Sequence, residues 1–319
     1  MNLLTGRVMR PVFAKRDIKA EADMRGLVII NGFQTDEKFF RQGARIQAAL
    51  AAEGIACDLM RNGEVYALLT EQGEVNSSFA TQYTFAVYLD KDKYLGQMLE
   101  KAGLRLFNSA RAVELCDDKM LTYLALGSCG LRLAKCIPAP LCYTKGAKPN
   151  AAFLEKVAHE LGFPLVVKKS FGSFGTGVQL VHGMPELQKA AEECLHLPHF
   201  FQAYIAESHG RDIRVITVGG RALGCMERVA QKGEFRSNIE LGGIGKKIDP
   251  PQAYLRAAEC AAQTLGLDYC GVDLLLTENG PVVCEVNSNA FFEGFEGVTG
   301  MNVAAAYARH IAACVKSVQ

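Results

Sequence analysis

Three side chains near the C-terminal end of the sequence carry the donor atoms that a divalent cation needs. Glu285 and Asn287 stand two positions apart in the apolar segment PVVCEVN, so on a strand both project from one face. Asp273 lies in the preceding apolar segment, GVDLLL. The alternative is a set of solvated residues on an edge hairpin, but three oxygen side chains within strands rich in Val, Leu and Cys favour a metal. We predict a Mg²⁺ site, with Mn²⁺ as an alternative occupant.

The turn between these two strands decides whether the three side chains meet. A two-residue Asn279–Gly280 turn would pair position 273 with 286 and put Asp273 on the wrong face. A three-residue loop over 278–280, with Gly280 in a left-handed conformation, pairs Asp273 with Glu285. We therefore predict the three-residue loop.

The segment VVKKSFGSFGTGV has the composition of a phosphate-binding turn. Lys168 and Lys169 are adjacent on a strand, so at most one of them faces a site. Gly172, Gly175 and Gly177 follow, and their backbone N–H groups can approach phosphate oxygens closely. A flexible hairpin tip would look similar. Together with a metal site downstream, the segment predicts binding of a nucleoside triphosphate.

Charged residues recur in RDIRVITVGGRALGCMERVAQKGEFRSN. Asp212 and Arg214 share a strand face, whereas a two-residue turn at 219–220 would put Arg228 on the other face unless a bulge intervenes. Arg236 and Asn238 follow in a loop. An arginine here could neutralise a phosphoryl group in transfer. Solvated surface charge is the equally weighted alternative for any one of these arginines.

The elements that must position these residues fall into three regions. Over 1–115, strand-like segments such as 26–32, 55–60, 65–69, 84–89 and 104–107 alternate with helical periodicity at 36–53 and 90–102, which predicts an N-terminal α/β domain. Residues 116–198 combine helices at 118–126, 150–161 and from Pro185 with the glycine-rich hairpin. Residues 199–319 are strand-rich, with helices at 251–265 and 302–316. The fold class is α/β and α+β.

Composition excludes several classes of protein. Lys and Arg number 35 against 34 Asp and Glu, so there is no basic excess to bind nucleic acid. The sequence has 11 cysteines, an odd number, mostly within apolar segments, which indicates free thiols in a reducing compartment. No segment has a signal-peptide core or membrane-spanning length. We predict a soluble cytoplasmic enzyme that binds neither nucleic acid nor membrane.

The order of these motifs resembles the ATP-grasp superfamily, and most closely its RimK-type amino-acid ligases. The resemblance covers about residues 115–310 and is carried by CDDK, PLVVKKSFGSFGTGV, FQAYI, RDIRV, MERVAQKGEFRSN, GVDLLL, GPVVCEVNSN and FEGFEGVTGMNVA. It implies an ATP-grasp fold, in which an N-terminal (pre-ATP-grasp) domain is followed by two α+β lobes that hold ATP between them. The small lobe would be 116–198 and the large lobe 199–319. Related ligases are often homo-oligomers.

The same resemblance implies roles for individual residues. Lys119 and Lys168 would bind phosphates under a lid containing Gly172, Ser173, Gly175 and Gly177. Adenine would lie beside Ala203 and Tyr204. The remaining nucleotide-site residues would be Asp212, Arg236, Ser237 and Asn238, with Asp273, Glu285 and Asn287 as metal ligands. The sequence departs from the family in two places. Ala203 replaces the usual Glu of the hinge, and Asn289–Ala290–Phe291–Phe292 stands where Pro-Gly-Leu usually follows the serine.

The predicted reaction is the formation of an amide bond. A substrate carboxylate attacks the γ-phosphorus of ATP and gives an acyl phosphate and ADP, and an amine then displaces phosphate. Arg236 or Arg228 would stabilise the phosphoryl group. Glutamate or a similar amino acid would be joined to a peptide, protein or small molecule. Two alternatives stay open: a small-molecule kinase on the same fold, and a nucleotide-binding module without catalysis.

Overall fold

The first third of the chain forms the predicted α/β domain. The computed structural model describes residues 24–172 and 175–317. In these residues the N-terminal sheet has the order β2-β1-β5-β6, with all strands parallel. Its central strands are buried on both faces, which explains their continuous apolar sequences. The elements are β1 (Arg25–Ile30), α1 (Glu37–Ala52), β2 (Ala56–Arg61), β3 (Leu68–Leu69), β4 (Val75–Asn76), α2 (Phe79–Gln82), β5 (Phe85–Leu89), α3 (Lys93–Lys101) and β6 (Arg105–Phe107).

Two boundaries in this domain differ from prediction for local reasons. The predicted strand at 65–69 is reduced to the two residues of β3, which pair with β4, and Val65 lies outside β3, buried in the core of this domain. The helix predicted from Asp90 begins at Lys93, because the carboxylate of Asp92 accepts hydrogen bonds from the N–H groups of Tyr94 and Leu95 and caps it. Asp90 is thereby left outside the helix, at the end of β5.

The second region is a small antiparallel sheet with two helices on one side. Its order is β7-β10-β8-β9. Strand β10 pairs with both β7 and β8, although the sequence placed it at the start of the large lobe. The boundary between the lobes therefore lies after Ala203 and not at residue 198. The elements are α4 (Ala110–Asp117), α5 (Lys119–Leu126), β7 (Cys136–Pro138), α6 (Ala151–Leu161), β8 (Leu165–Lys169), β9 (Val178–Val181), α7 (Met184–Cys194) and β10 (His199–Ala203).

The third region is an antiparallel sheet of order β13-β12-β11-β14-β15. One face packs on the buried alanine-rich side of α8 and forms a core with it. The other face carries the charged residues of the next section. The last helix, α10, packs against α1 and so joins this region to the N-terminal domain. The elements are β11 (Arg211–Val218), β12 (Arg221–Val229), β13 (Ile244–Lys247), α8 (Gln252–Leu265), β14 (Tyr269–Leu275), β15 (Val282–Asn287), α9 (Glu293–Thr299) and α10 (Val303–Lys316). No helix in the described residues is long and apolar enough to span a membrane.

Candidate functional site

A network of arginines and carboxylates lies on the face of the large sheet that points away from α8. Arg214 binds Asp273 through two hydrogen bonds of 2.7 Å, from Nε to Oδ1 and from Nη2 to Oδ2. Arg228 binds Asp212 in the same two-point manner and also reaches Asp273 Oδ2 at 2.9 Å. Burial raises the pKa of Asp273, but the two guanidinium groups outweigh burial and hold its pKa below the usual range. Asp273 is therefore a carboxylate that is held in place by two arginines and stays ionised at neutral pH.

A β-bulge brings Arg228 into this network. The chain turns at Gly219–Gly220 so that Val218 pairs with Arg221, as a two-residue turn requires. The register then shifts between Ile216 and Thr217, and Leu223 is left unpaired. Arg228 consequently pairs with Asp212 and shares its face. The bulge that the sequence left open is present.

A second bulge brings the metal-ligand candidates together. Asp273 pairs with Glu285, as predicted, but the predicted loop of residues 278–280 is wrong. The strands end at Leu275 and Val282, and the register shifts by one between that pair and Asp273. Cys284 is the unpaired residue of this bulge. Without the bulge, Asp273 would pair with Cys284 and Glu285 would lie on the opposite face of the sheet; the extra residue returns Glu285 to the face of Asp273.

The oxygens of these residues fit a hard divalent cation. Asp273 Oδ1 accepts only one hydrogen bond from described residues, and the Asn287 amide lies beside the same carboxylate, with Nδ2 at 3.5 Å from Oδ2. Glu285 Oε1 lies 3.4 Å from Lys119 Nζ. Each residue therefore keeps an oxygen able to bind a metal, and the donor set of two carboxylates and one amide is one that Mg²⁺ accepts.

Two lysines approach this oxygen cluster from the small lobe. Lys168 is only 8 % exposed, and in the described residues its Nζ has no carboxylate partner; its nearest polar contact is Cys284 Sγ at 3.7 Å. Lys119 Nζ donates to Gly172 O at 2.9 Å, and its backbone N–H donates to Ser170 O. Lys169 lies on the opposite face of β8, against Gly177. A buried ammonium without a counterion is unfavourable unless an anion binds beside it.

The glycine-rich segment is held above the lysines by Arg236. Arg236 Nη1 donates to Gly175 O at 3.0 Å, while Nε and Nη2 bind the Glu234 carboxylate. These hydrogen bonds lower the pKa of Glu234 to about 2, so the pair is ionised at neutral pH. A Cβ at Gly175 would lie 3.2 Å from Asn238 Oδ1, and its φ of 70° also favours glycine. Ser173, predicted in this lid, lies outside the described residues.

The cleft between the lobes has a cavity of about 110 Å³. Its wall contains the catalytic candidate Arg228 and most of the predicted nucleotide-site residues: Lys119, Lys168, Gly175, Ala203, Tyr204, Asp212, Arg236, Ser237 and Asn238. Gly172 instead lines the neighbouring cavity described next, and Gly177 packs against Lys169. The fold thus brings together residues more than 150 positions apart, from Lys119 to Glu285.

A second cavity of about 430 Å³ adjoins the first and shares Asn238 and Glu285 with it. Its wall combines the ends of N-terminal strands, the lid and the segment after β15, and its polar residues include Asn31, Asp90, Arg214 and Asn289. From the sequence, Asn31 and Asp90 had no assigned role; Arg214 was named only as a member of the charged cluster, and Asn289 only as part of the segment that departs from the family. Arg214 was recognisable only through its pairing with Asp273 across β11 and β14. Asn31 and Asp90 do follow the two neighbouring buried strands β1 and β5, which was a usable signal.

Comparisons with known proteins agree with this geometry. A family model described as a RimK-like ATP-grasp domain matches residues 127–311. Beta-citrylglutamate synthase B of Danio rerio is 37 % identical over 220 residues, which cover 68 % of this chain and 53 % of that protein. A probable alpha-L-glutamate ligase of Marinomonas sp. is 33 % identical over 217 residues, covering 67 % and 69 %.

The same fold is found in the solved structure of the ATP-grasp ligase PsnB with a minimal precursor, Mg and ADP. Its TM-score is 0.65 at 17 % identity, covering 91 % of this chain and 98 % of that one. The predicted ATP-grasp fold is thereby confirmed. The chain spans about half the length of the first relative and about two thirds of the second.

Proposed function

The chain belongs to the RimK-like ATP-grasp family, as its motifs predict, and we propose that it is an Mg-ATP-dependent carbon–nitrogen ligase. The proposed reaction activates a substrate carboxylate as an acyl phosphate and joins it to an amine. One observation carries the proposal: a cleft with a buried ammonium, Lys168, that has no carboxylate partner among the described residues adjoins a second cavity, and the two cavities share Glu285 and Asn238. A nucleotide in the first cavity and a substrate in the second would meet at these two residues.

Each residue of the cleft has a distinct part in this proposal. Lys168 and Lys119 bind phosphate oxygens, and the backbone beside Ala203 and Tyr204 borders the adenine, because Ala203 offers no polar side chain. Asp273, Glu285 and Asn287 hold Mg²⁺, which neutralises phosphate charge when bound. The chain's contribution is to orient the reactants and provide fixed charges, the usual means of catalysis in phosphoryl transfer.

The arginines divide into two roles. Arg228 is 2 % exposed and bound on both sides by Asp212 and Asp273, so it positions Asp273 and has no free surface for substrate. Arg236 is partly exposed in the cleft and bound to the lid at Gly175, so it is placed to contact the transferred phosphoryl group. A closed lid would also exclude water, which would otherwise hydrolyse an acyl phosphate.

The names of the relatives suggest the class of one substrate. The relatives are named for the synthesis of beta-citrylglutamate and for glutamate ligation. We therefore propose that glutamate or a similar amino acid is one substrate, with a peptide, protein or small molecule as the other. The cysteines of the described residues are all free thiols, which supports a reducing, cytoplasmic location.

The test is release of ADP and phosphate from Mg-ATP over pairs of carboxylates and amines, followed by mass spectrometry of the products. A product one water lighter than its two substrates, with free phosphate, supports the ligase. A stable phosphorylated product would make the protein a kinase instead. Binding of ATP with no turnover over the whole panel, unchanged in Glu285→Gln, would favour a non-catalytic module.

A further inference from the structure

The second cavity ends at the carboxyl edge of the N-terminal sheet. Asn31 follows β1 and Asp90 follows β5, and these strands pair in parallel with Ile30 opposite Leu89. Both side chains line the cavity. Ligands of parallel α/β sheets commonly bind at this edge, where adjacent strands deliver their next residues to one place. The N-terminal domain therefore supplies polar groups to the cavity that adjoins the nucleotide cleft.

Asp90 is a buried carboxylate with no cationic partner among residues 24–172 and 175–317. It is 5 % exposed, and no lysine, arginine or histidine of the described residues forms an ion pair with it. Its Oδ1 accepts hydrogen bonds from Asn31 Nδ2 and from the N–H groups of Lys91 and Asp92 at 3.1, 2.6 and 3.3 Å. Its Oδ2 has one long contact, 3.4 Å from Asn31 Nδ2. Burial raises the pKa of Asp90 against these hydrogen bonds.

The two cationic side chains that line the cavity among the described residues, Arg214 and Lys91, form ion pairs with carboxylates other than Asp90. Arg214 is committed to Asp273 through its Nε and Nη2. Lys91 Nζ forms an ion pair with Asp117 at 2.8 Å. The Asp90 carboxylate therefore has no cationic partner among the described residues. Lys168 in the adjoining cleft is the opposite case, because its ammonium group has no anionic partner there. At Asp90 the missing partner is a cation.

The segment that departs from the family pattern, Asn289–Phe292, is hydrogen-bonded to the end of β5, directly before Asp90. Asn289 Nδ2 donates to the carbonyl of Leu89 at 2.9 Å, directly before Asp90, and Asn289 Oδ1 accepts from Gln42 Nε2 at 3.1 Å. The proline of the family pattern could form neither hydrogen bond. The departure at Asn289 therefore fixes the distance between Asp90 and the metal-ligand strand β15, which ends at Asn287.

We propose that Asp90 binds the ammonium group of a substrate in this cavity, so that the substrate is an amino acid or peptide with an unblocked amino group. The proposal rests on the ligase function above and names its substrate class. The ammonium belongs to one of two molecules, the carboxylate that is phosphorylated or the amine that attacks it. In either case an N-acylated analogue lacks the cation and leaves Asp90 unpaired.

The experiment compares Asp90→Asn with Glu71→Gln, a carboxylate-to-amide change at an exposed residue of the same domain. The probes are the 20 common amino acids and a set of dipeptides, each free and N-acetylated. ADP release from Mg-ATP is measured first with each probe alone, in the presence of hydroxylamine, which traps an acyl phosphate as a hydroxamate. It is then measured with the probes in pairs. Binding of the same probes in the presence of Mg-ADP is measured by calorimetry. A hydroxamate formed from a free probe and not from its N-acetylated form identifies the ammonium as that of the phosphorylated carboxylate. If both forms give the hydroxamate, and only the second probe must be free in order to bind, the ammonium is that of the attacking amine.

We expect the native chain and Glu71→Gln to prefer the free form over the N-acetylated form. The preference is read in kcat/KM where the probe is the carboxylate that is phosphorylated, and in affinity where the probe is the attacking amine, because an N-acetylated amine cannot react. Asp90→Asn should reduce the preference by about 10- to 100-fold, the range for a hydrogen bond to a charged group. Turnover of N-acetylated probes at the rate of free ones would overturn the ammonium site and leave the ligase intact. An unchanged preference in Asp90→Asn would do the same. Absence of ADP release and of binding with every probe would reject both proposals.

Discussion

The buried ammonium of Lys168 gives the sharpest prediction about nucleotide binding. In Lys168→Met an unbranched apolar side chain, one atom shorter, replaces the lysine stem and the charge is lost. A hydrogen bond between charged groups contributes about 1.5–3 kcal/mol, so we expect the Kd for ADP or ATP to rise about 10- to 100-fold. The nucleotide-free variant should be at least as stable as the native chain, because the change removes a buried charge whose one hydrogen-bond partner among the described residues is a thiol, 3.7 Å away.

Thermal unfolding with and without nucleotide separates these effects. At a nucleotide concentration of about 100 times the native Kd, binding stabilises the native chain by about 2.7 kcal/mol. A 100-fold weaker variant is at its own Kd there and gains about 0.4 kcal/mol. With about 2–4 °C per kcal/mol, the nucleotide-induced rise in Tm should be smaller in Lys168→Met by about 5–9 °C for a 100-fold loss of affinity and by about 3–5 °C for a 10-fold loss.

Lys169→Met is the matched control, since it changes the next residue of β8 on the opposite face. It should retain the full nucleotide-induced rise in Tm. Two results would refute the reasoning. One is a Lys168→Met variant whose nucleotide-induced rise equals that of the native chain. The other is a nucleotide-free Lys168→Met variant that unfolds several degrees below it, which would show that the ammonium stabilises the folded protein.

Three further predictions follow from the same site. Arg228→Leu should lower the free energy of unfolding in urea by about 3–5 kcal/mol, because Asp212 is left buried without its partner; a loss below 1 kcal/mol would contradict this. Glu285→Gln should abolish turnover while Tm changes little, since its ion-pair partner is Lys119 at 3.4 Å, and a large fall in Tm would assign Glu285 a structural role. The raised pKa of Asp90 means that the folded chain binds its proton more tightly than the unfolded chain. Stability from this group is therefore present below the unfolded pKa and lost as pH rises through the folded pKa, and Asp90→Asn should remove that part of the pH dependence in urea titrations.

The sequence was sufficient for the identities of the chemical groups and for the fold. Glu285 and Asn287 share a face because strand geometry repeats every two residues. The apolar strands of the first domain required burial on both faces, which fits a parallel sheet. The order of motifs predicted the ATP-grasp fold through its resemblance to that superfamily, and the structure confirms it.

Local sequence patterns did not predict the register of strand pairing, because the register depends on contacts with residues that are distant in the sequence. Two bulges, at Leu223 and Cys284, determine which face Arg228 and Glu285 take relative to their partner strands. Each bulge adds one residue and reverses every later side chain, yet no distinctive residue marks it. The bulged register is favoured because it packs Val283 and Val286 in the core against α8 while Glu285 remains with Asp273.

The amino-acid sequence by itself determined the donor atoms, the glycine-rich lid and the charges of this protein. Only the tertiary structure decided which charges are paired. Arg214 and Arg228 neutralise Asp212 and Asp273, whereas Lys168 and Asp90 are buried without a partner of opposite charge among the described residues. The physical reason is that burial and pairing depend on neighbours supplied by other domains, such as the end of β5 brought against β15 by Asn289.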